Sequence, residues 1–410
     1  MLVKLAWRNL WRNKLRTSII LGAVVFGLLG VTAMMGFMTG FVDSMLSNAI
    51  RWQTSHIQLH NPKYVSNPDI VEEIPNGEHL AELLRTLPNV QTVSARFIAV
   101  GMVASARSNR GVRINGINID DEARLTPLST KISDGEFLDR EGRNPILVSQ
   151  KLAERLRLKV GSKVVLTFTD AAGQVVGAAY RVKGIFSTPS TQFDEGNVFV
   201  RKSDLQKTAS MQGVHEIAIL FNDGSDLIQA KQDIHQVTDK VANSAPVLVR
   251  DWKQIQPMLA TMMNTMHVSN RIILVIFVVA MMFGIINIML MSVFERTQEF
   301  GVLMAVGMQK HKVFTLIMLE TTMLGATGAL LGLAASATLI AVLHHYGMSL
   351  ASMSDGLGAY GIDTVLYPRV SYREYQITFL TVFVASVLAA IYPARQILKQ
   401  RPVDAMAEKK

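Results

Sequence analysis

Cysteine is absent from this chain of 410 residues, so disulfides, thiolate nucleophiles and Cys-ligated zinc are all excluded. Charge is scarce too: 18% of residues are Asp, Glu, Lys or Arg against 49% hydrophobic. That balance is too apolar for an ordinary soluble protein and too polar for one lying wholly in lipid. A phosphate-cradling loop is also missing. Gly161-Ser162-Lys163 has Leu156 where the upstream glycine of such a loop must stand, and no other segment supplies one. His215-Glu216 opens like a zinc-protease motif, but Ile219 occupies the place of the second His, so two ligands cannot share one helical face. His344 and His345 are adjacent, point different ways on any regular element, and have no carboxylate spaced to help them. They mark the outer end of a span. No catalytic, metal or cofactor constellation remains, so the chain reads as non-enzymatic.

What is present is apolar length. Four stretches approach the roughly 20 residues that cross about 30 Å of hydrocarbon: residues 17–42, 272–294, 313–343 and 376–393. Lys4, Arg8, Arg12, Lys14 and Arg16 precede the first; Arg296, Lys310 and Lys312 lie between the second and third; Arg395, Lys399, Arg401, Lys409 and Lys410 follow the fourth. With their acids counted, these three segments carry the whole formal charge of +9. The excess of cations places them in the cytoplasm, which makes the basic balance a topology signal and leaves no reason to invoke nucleic acid. The expected layout is an interfacial helix at 1–16, an external domain at 43–271, a cytoplasmic helix at 295–312, a second external loop at 344–375 and a cytoplasmic tail at 394–410. The apolar run after Arg16 is too long for a signal-peptide core and reads as an uncleaved span.

The external domain reads as α+β. Its two ends each show strand, helix, strand, and they bracket an insertion at about 102–212 that is mostly β, with one helical stretch at Ser149–Leu156. These are two βαβ units of a porter-like kind around an inserted subdomain. A stalk helix at 252–270 carries Met258, Met262, Met263 and Met266 at helical spacing; they either pack on the domain or contact an amphiphilic cargo. Gly36 with Gly40, and Gly328 with Gly332, are small-residue pairs suited to close helix packing. Glu320, inside a span, is either a structural partner for a cation of the cytoplasmic segment or an internal polar contact that responds to conformational change.

Residues Glu295-Arg-Thr-Gln-Glu-Phe-Gly-Val-Leu-Met-Ala-Val-Gly307 resemble the signature of the FtsX-like permease domain, shared by MacB-type macrolide exporters and lipoprotein-releasing permeases of the LolC and LolE type. Glu320 with Gly325, Gly328 and Gly332 is similar to that family's third span. Tyr392-Pro-Ala-Arg395 with Arg401-Pro-Val-Asp-Ala405 resembles its C-terminal end, and Leu152–Leu156 through Gly161 its periplasmic core. The resemblance implies a multi-pass permease of the bacterial inner membrane, lipoprotein-releasing in layout, that works by mechanotransmission. ATP and Mg would be bound by a partner ABC ATPase dimer, and no cofactor by this chain. A second permease copy or a paralogue, a periplasmic chaperone or adaptor, and membrane lipids are the other implied partners. In the family the segment matching 295–307 is the coupling helix. Here Phe300, Leu303, Met304 and Gly307 would form its apolar dock, Gly301 would be another coupling residue, and Glu295, Arg296 and Glu299 would make ion pairs at the rim. A signalling permease whose periplasmic domain activates a cell-envelope hydrolase or adaptor is the competing reading.

Overall fold

The computed structural model describes residues 2–222, 224–241 and 246–398. The chain divides into two compact units: one drawn from Met1–Val42, Met263–Ser349 and Val365–Lys410, the other from Asp43–Met262 and Leu350–Thr364. The motif at 401–405 and the end of the tail lie outside the described residues.

Among the described residues, four helices are long and apolar enough to cross a membrane: Thr17–Thr54, Pro257–Glu295, Lys310–Tyr346 and Tyr372–Gln396. The second, at 39 residues, measures about 58 Å at 1.5 Å per residue, well beyond the hydrocarbon thickness. Polar flanks thus continue the helices past the apolar runs that mark them in the sequence. The first helix begins at Lys14, after a separate helix Leu2–Leu10. The single interfacial helix expected over 1–16 is therefore broken, by a turn in which the Arg12 amide donates to the Asn9 carbonyl.

Within this unit Val24, Leu28 and Val31 of the first helix meet Leu274, Val278 and Ile285 of the second, Ala329 of the third, and Val382, Ala385 and Ala389 of the fourth. Small residues set the closest approach. A side chain at Gly328 or Gly332 would run into Val24 at 2.9 Å or Leu28 at 2.8 Å, and one at Gly36 into Ile340 at 2.6 Å. Both glycine pairs therefore serve the first helix: Gly328 and Gly332 receive it, Gly36 faces the third, and Gly40 lies against the Tyr367 carbonyl.

The α/β unit is built on strands β1 (Ile57–His60), β2 (Val90–Ala104), β3 (Asn109–Ile117), β4 (Ile132–Gly135), β5 (Pro145–Ser149), β6 (Lys163–Thr169), β7 (Val175–Phe186), β8 (Asn197–Arg201), β9 (Glu216–Phe221) and β10 (Leu248–Asp251). One lobe has the order β10-β1-β9-β2, all antiparallel. Helices Gly77–Leu84 and Leu227–Val241 cover it, burying Leu80, Leu84 and Ile234 against Val93, Ile217 and Ile219. These are two interleaved βαβ units, the second running β9, helix, β10. The other lobe is a mixed sheet, with β3–β8 and β5–β7 parallel, whose core holds Leu152 and Leu156 of the helix Gln150–Leu156 with Val164, Leu166 and Phe168. The fold is α+β.

Strand β2 joins the lobes. It pairs with β9 as far as Arg96 opposite Glu216, then with β3 from Phe97 opposite Gly116, so the second sheet starts at 97 and not at 102. That second lobe is also less purely β than its sequence suggests. Helices Ile119–Leu125, Thr191–Gly196 and Lys202–Ala209 are too short to show periodicity; the first two begin at side-chain caps, Asn118 and Ser190. The stalk is broken as well. Helix Trp252–Ile255 ends, Gln256 leaves helical geometry, and a new helix starts at Pro257, because proline lacks an N–H and disfavours helical geometry in the residue before it. Ala49–Thr54 forms a π-helix, and Gln256 Nε2 donates to Gln53 Oε1 at 2.6 Å, tying the two segments together.

At the switch between sheets lies a buried ionic cluster. Arg96 donates through Nε and Nη2 to Glu122 and through Nη1 to Glu216, at 2.6 to 2.9 Å. Glu216 also receives Arg113 Nη2 at 2.5 Å. His215 sits beside it as a core residue: its Nδ1 accepts from the Ile98 amide and its Nε2 faces the Ile70 carbonyl. Removing one partner of so buried a pair costs about 3–5 kcal/mol, whereas the intact pair contributes little net stability.

Candidate functional site

The segment that opens at Val293 is built from a break and a stop. The long helix ends at Glu295, Arg296 leaves helical geometry (φ −107°, ψ 15°), and a nine-residue helix runs Thr297–Ala305. Gly307 then takes φ +101°, a left-handed value that glycine adopts without steric cost. The Met308 amide reaches back to the Leu303 carbonyl at 2.9 Å, closing the helix as C-terminal caps do. The helix is thus shorter than the 295–312 expected. Glu295 belongs to the preceding membrane helix, and Gly307 ends the short helix.

Burial turns Phe300 and Gly301 of the expected dock inward. Phe300 is 1% exposed, Gly301 is buried, and Leu303 and Met304 are partly covered. Phe300, Leu303 and Met304 pack inside this chain with Ala6, Val293, Val313, Leu316 and Ile317. The outward ridge is instead Val302, 52% exposed, and Val306, 84% exposed. In a helix, positions 300 and 304 share one face and 302 and 306 another. The sequence pattern shows an apolar face without showing whether it is turned to the chain's own bundle.

Charge fixes the helix at its first turn. Arg12 Nη2 donates to Glu299 Oε1 at 2.5 Å, Arg296 Nε to Glu299 Oε2 at 3.0 Å, and Arg296 Nη1 to both oxygens of Glu320 at 3.1 and 3.3 Å. The Arg296 guanidinium also stands over the Phe300 ring, 5.3 Å from its centroid. Burial raises the Glu299 carboxyl, but hydrogen bonds from Arg12 and Arg296 outweigh it and hold the group below its ordinary range. The outer pair, Arg12 with Glu299, is half exposed and adds little. The inner pair, Arg296 with Glu320, is mostly withdrawn from solvent and so more consequential. Three elements are thereby linked: the turn before the first membrane helix, the short helix, and the third membrane helix. Arg12 was not singled out in the sequence; its only signal was membership of the basic N-terminal cluster.

The methionines of the stalk do not form one buried stripe. Met258 is 87% exposed while its neighbour Leu259 is buried, and Met262, Met263 and Met266 are partly covered.

Two family profiles match the chain: MacB-like periplasmic core domain over residues 17–237, and FtsX-like permease C-terminal over residues 271–402. The chain belongs to the FtsX/MacB/LolC type of ABC transporter permease. It is 22% identical over 339 residues to the lipoprotein-releasing system transmembrane protein LolC of Xylella fastidiosa, covering 80% of each chain. It is also 22% identical over 408 residues to the macrolide export ATP-binding/permease protein MacB of Campylobacter fetus subsp. fetus. There it covers 96% of this chain but spans only 59% of the relative. Among solved structures, the periplasmic region of MacB from Actinobacillus actinomycetemcomitans is 12% identical, with a TM-score of 0.39, over 53% of this chain and 97% of that one. The permease is a membrane protein with four spanning helices and a periplasmic-type α+β domain.

Proposed function

We propose that this permease is the membrane subunit of an ATP-driven transporter that extracts or exports amphiphilic, lipoprotein-like cargo at the periplasmic face by mechanotransmission. A separate ABC ATPase dimer binds ATP and Mg and hydrolyses the nucleotide, and a second permease copy or a paralogue completes the membrane pair. The observation that carries the reading is the two-faced helix Thr297–Ala305, with Val302 and, at its C-terminal cap, Val306 outward, and Phe300 and the N-terminal Arg296 anchored inward. A helix so held cannot tilt alone. A push on its outer ridge passes through Arg296 to Glu320, and through Val293 to the long helix Pro257–Glu295. The cations flanking residues 17–42 and 376–393 support cytoplasmic termini.

The test is reconstitution with the ATPase in lipid nanodiscs, followed by mass spectrometry of molecules bound before and after ATP. Acylated protein held in the absence of ATP and released on its addition supports extraction. A stoichiometric envelope hydrolase with no amphiphile replaces that reading with a signalling permease.

A further inference from the structure

A cavity of about 620 Å³ opens at the foot of the helical unit, beside the ion-pair chain. Its depth is set by Asn9 and Leu10, which end the helix Leu2–Leu10 and line it. That helix buries Ala6 and Leu10 and exposes Val3 and Trp7, and Trp7 meets the exposed Trp11 edge-on at 6.1 Å between ring centroids. Exposed tryptophans on such an amphipathic helix settle at the lipid headgroup level. The cavity therefore lies where headgroups lie.

Its lining is mixed. Ile20, Met289 and Leu324 supply apolar lining and Arg12, Lys14, Glu295 and Glu299 charged lining, with Arg12 and Glu299 bound to each other. With Arg296 and Glu320 included, the lining carries three cations and three acids and has no net charge. A headgroup of net negative charge would bring an uncompensated charge into a partly enclosed space; one that carries both signs does not. A primary ammonium also supplies three N–H donors for carboxylates, which a quaternary ammonium lacks.

We propose that this cavity holds one membrane phospholipid with a phosphoethanolamine-type headgroup. The phosphate lies at Lys14 and Arg12, the ammonium toward Glu295, and the first carbons of the chains against Ile20, Met289 and Leu324. The proposal needs this end of the helical unit to lie at a membrane surface but does not need an ATPase to dock there, so either can fail without the other.

The test is native mass spectrometry of the full chain, extracted from vesicles of equal parts phosphatidylethanolamine, phosphatidylglycerol and phosphatidylcholine. One phosphatidylethanolamine per chain is the expected retained species. Lys14→Gln should lower its retention about tenfold, the value of one charge-assisted contact, and Leu324→Phe, which narrows the cavity, should lower it as well. Lys4→Gln makes the same charge change at a residue outside the cavity lining and should retain lipid like the unaltered chain, which separates a lost site from a lost fold. Preferential retention of phosphatidylglycerol, no retained lipid, or equal retention by Lys14→Gln and Lys4→Gln would overturn the proposal.

Discussion

Arg296 grips Glu320 through a single guanidinium nitrogen, set 3.1 and 3.3 Å from the two carboxylate oxygens. The contact joins the break before the short helix to the interior of a membrane helix. Glu320→Gln leaves Arg296 largely enclosed with a weaker partner, and Arg296→Gln does the reverse. Each should lower the stability of the detergent-solubilised permease by about 3 kcal/mol and weaken its stimulation of the ATPase several-fold. A double-mutant cycle on unfolding should return an interaction energy above about 1 kcal/mol; additive effects would mean that the pair does not couple these elements.

Phe300 and Val306 should part company on substitution. Phe300→Ala empties a site in the chain's own core and should cost about 3–5 kcal/mol, seen as a lower thermal midpoint of the isolated permease. Val306→Asp changes an exposed position, so stability should stay within about 0.5 kcal/mol, while affinity for the ATPase, measured by co-purification, should fall. The opposite pattern would restore Phe300 as a docking residue.

The helix-packing glycines differ in what surrounds them. Gly332→Leu forces a side chain into Leu28 and the Val25 backbone, whereas a methyl at Gly22 meets nothing within 4 Å. Thermal stability should drop sharply for Gly332→Leu and hold for Gly22→Ala, in line with the cost of overpacking. Equal behaviour would contradict the close approach of the first and third helices.

His60 makes the α/β unit acid-sensitive. Burial is the largest cause and drives its pKa from 6.5 to about 4, with Arg250 and Arg113 adding to it and Glu216 opposing. As pH falls through that window the unfolded chain takes a proton that the folded chain refuses. The contribution present above pH 6.5 is therefore lost, reaching about 3 kcal/mol. Asp194 has the opposite sign, since burial pushes its carboxyl up to about 6 from 3.8, and it gains stability as pH falls through 6. The informative quantity is the difference between His60→Gln and the unaltered chain. It should shift in the variant's favour between pH 6.5 and 4, and a flat difference would show that His60 is not held neutral.

The four spans and the βαβ ends of the external domain are legible in the sequence, because apolar length and strand-helix-strand alternation are local signals. The location of the short helix is legible for the same reason. Its orientation is not: a 3.6-residue pattern marks Phe300 and Met304 as one face but carries no information on what covers that face. The Arg12–Glu299 contact joins residues 287 apart in sequence, and nothing local announces it. The three short helices of the second lobe, and the π-helix at Ala49–Thr54, escape for lack of length, and only the caps at Asn118 and Ser190 hint at two of them.

The absence of cysteine allows the central claim, that the Thr297–Ala305 segment receives the force of a separate ATPase, to be tested without background. Val302→Cys, Val306→Cys and Phe300→Cys, each introduced singly, would be treated with a short bismaleimide in the presence of the ATPase carrying cysteines around its nucleotide-binding groove. Crosslinks at 302 and 306 that change with ATP, and none at 300, are the expected result. No crosslink at 302 or 306 from a complex that still hydrolyses ATP in a permease-dependent way would contradict the account.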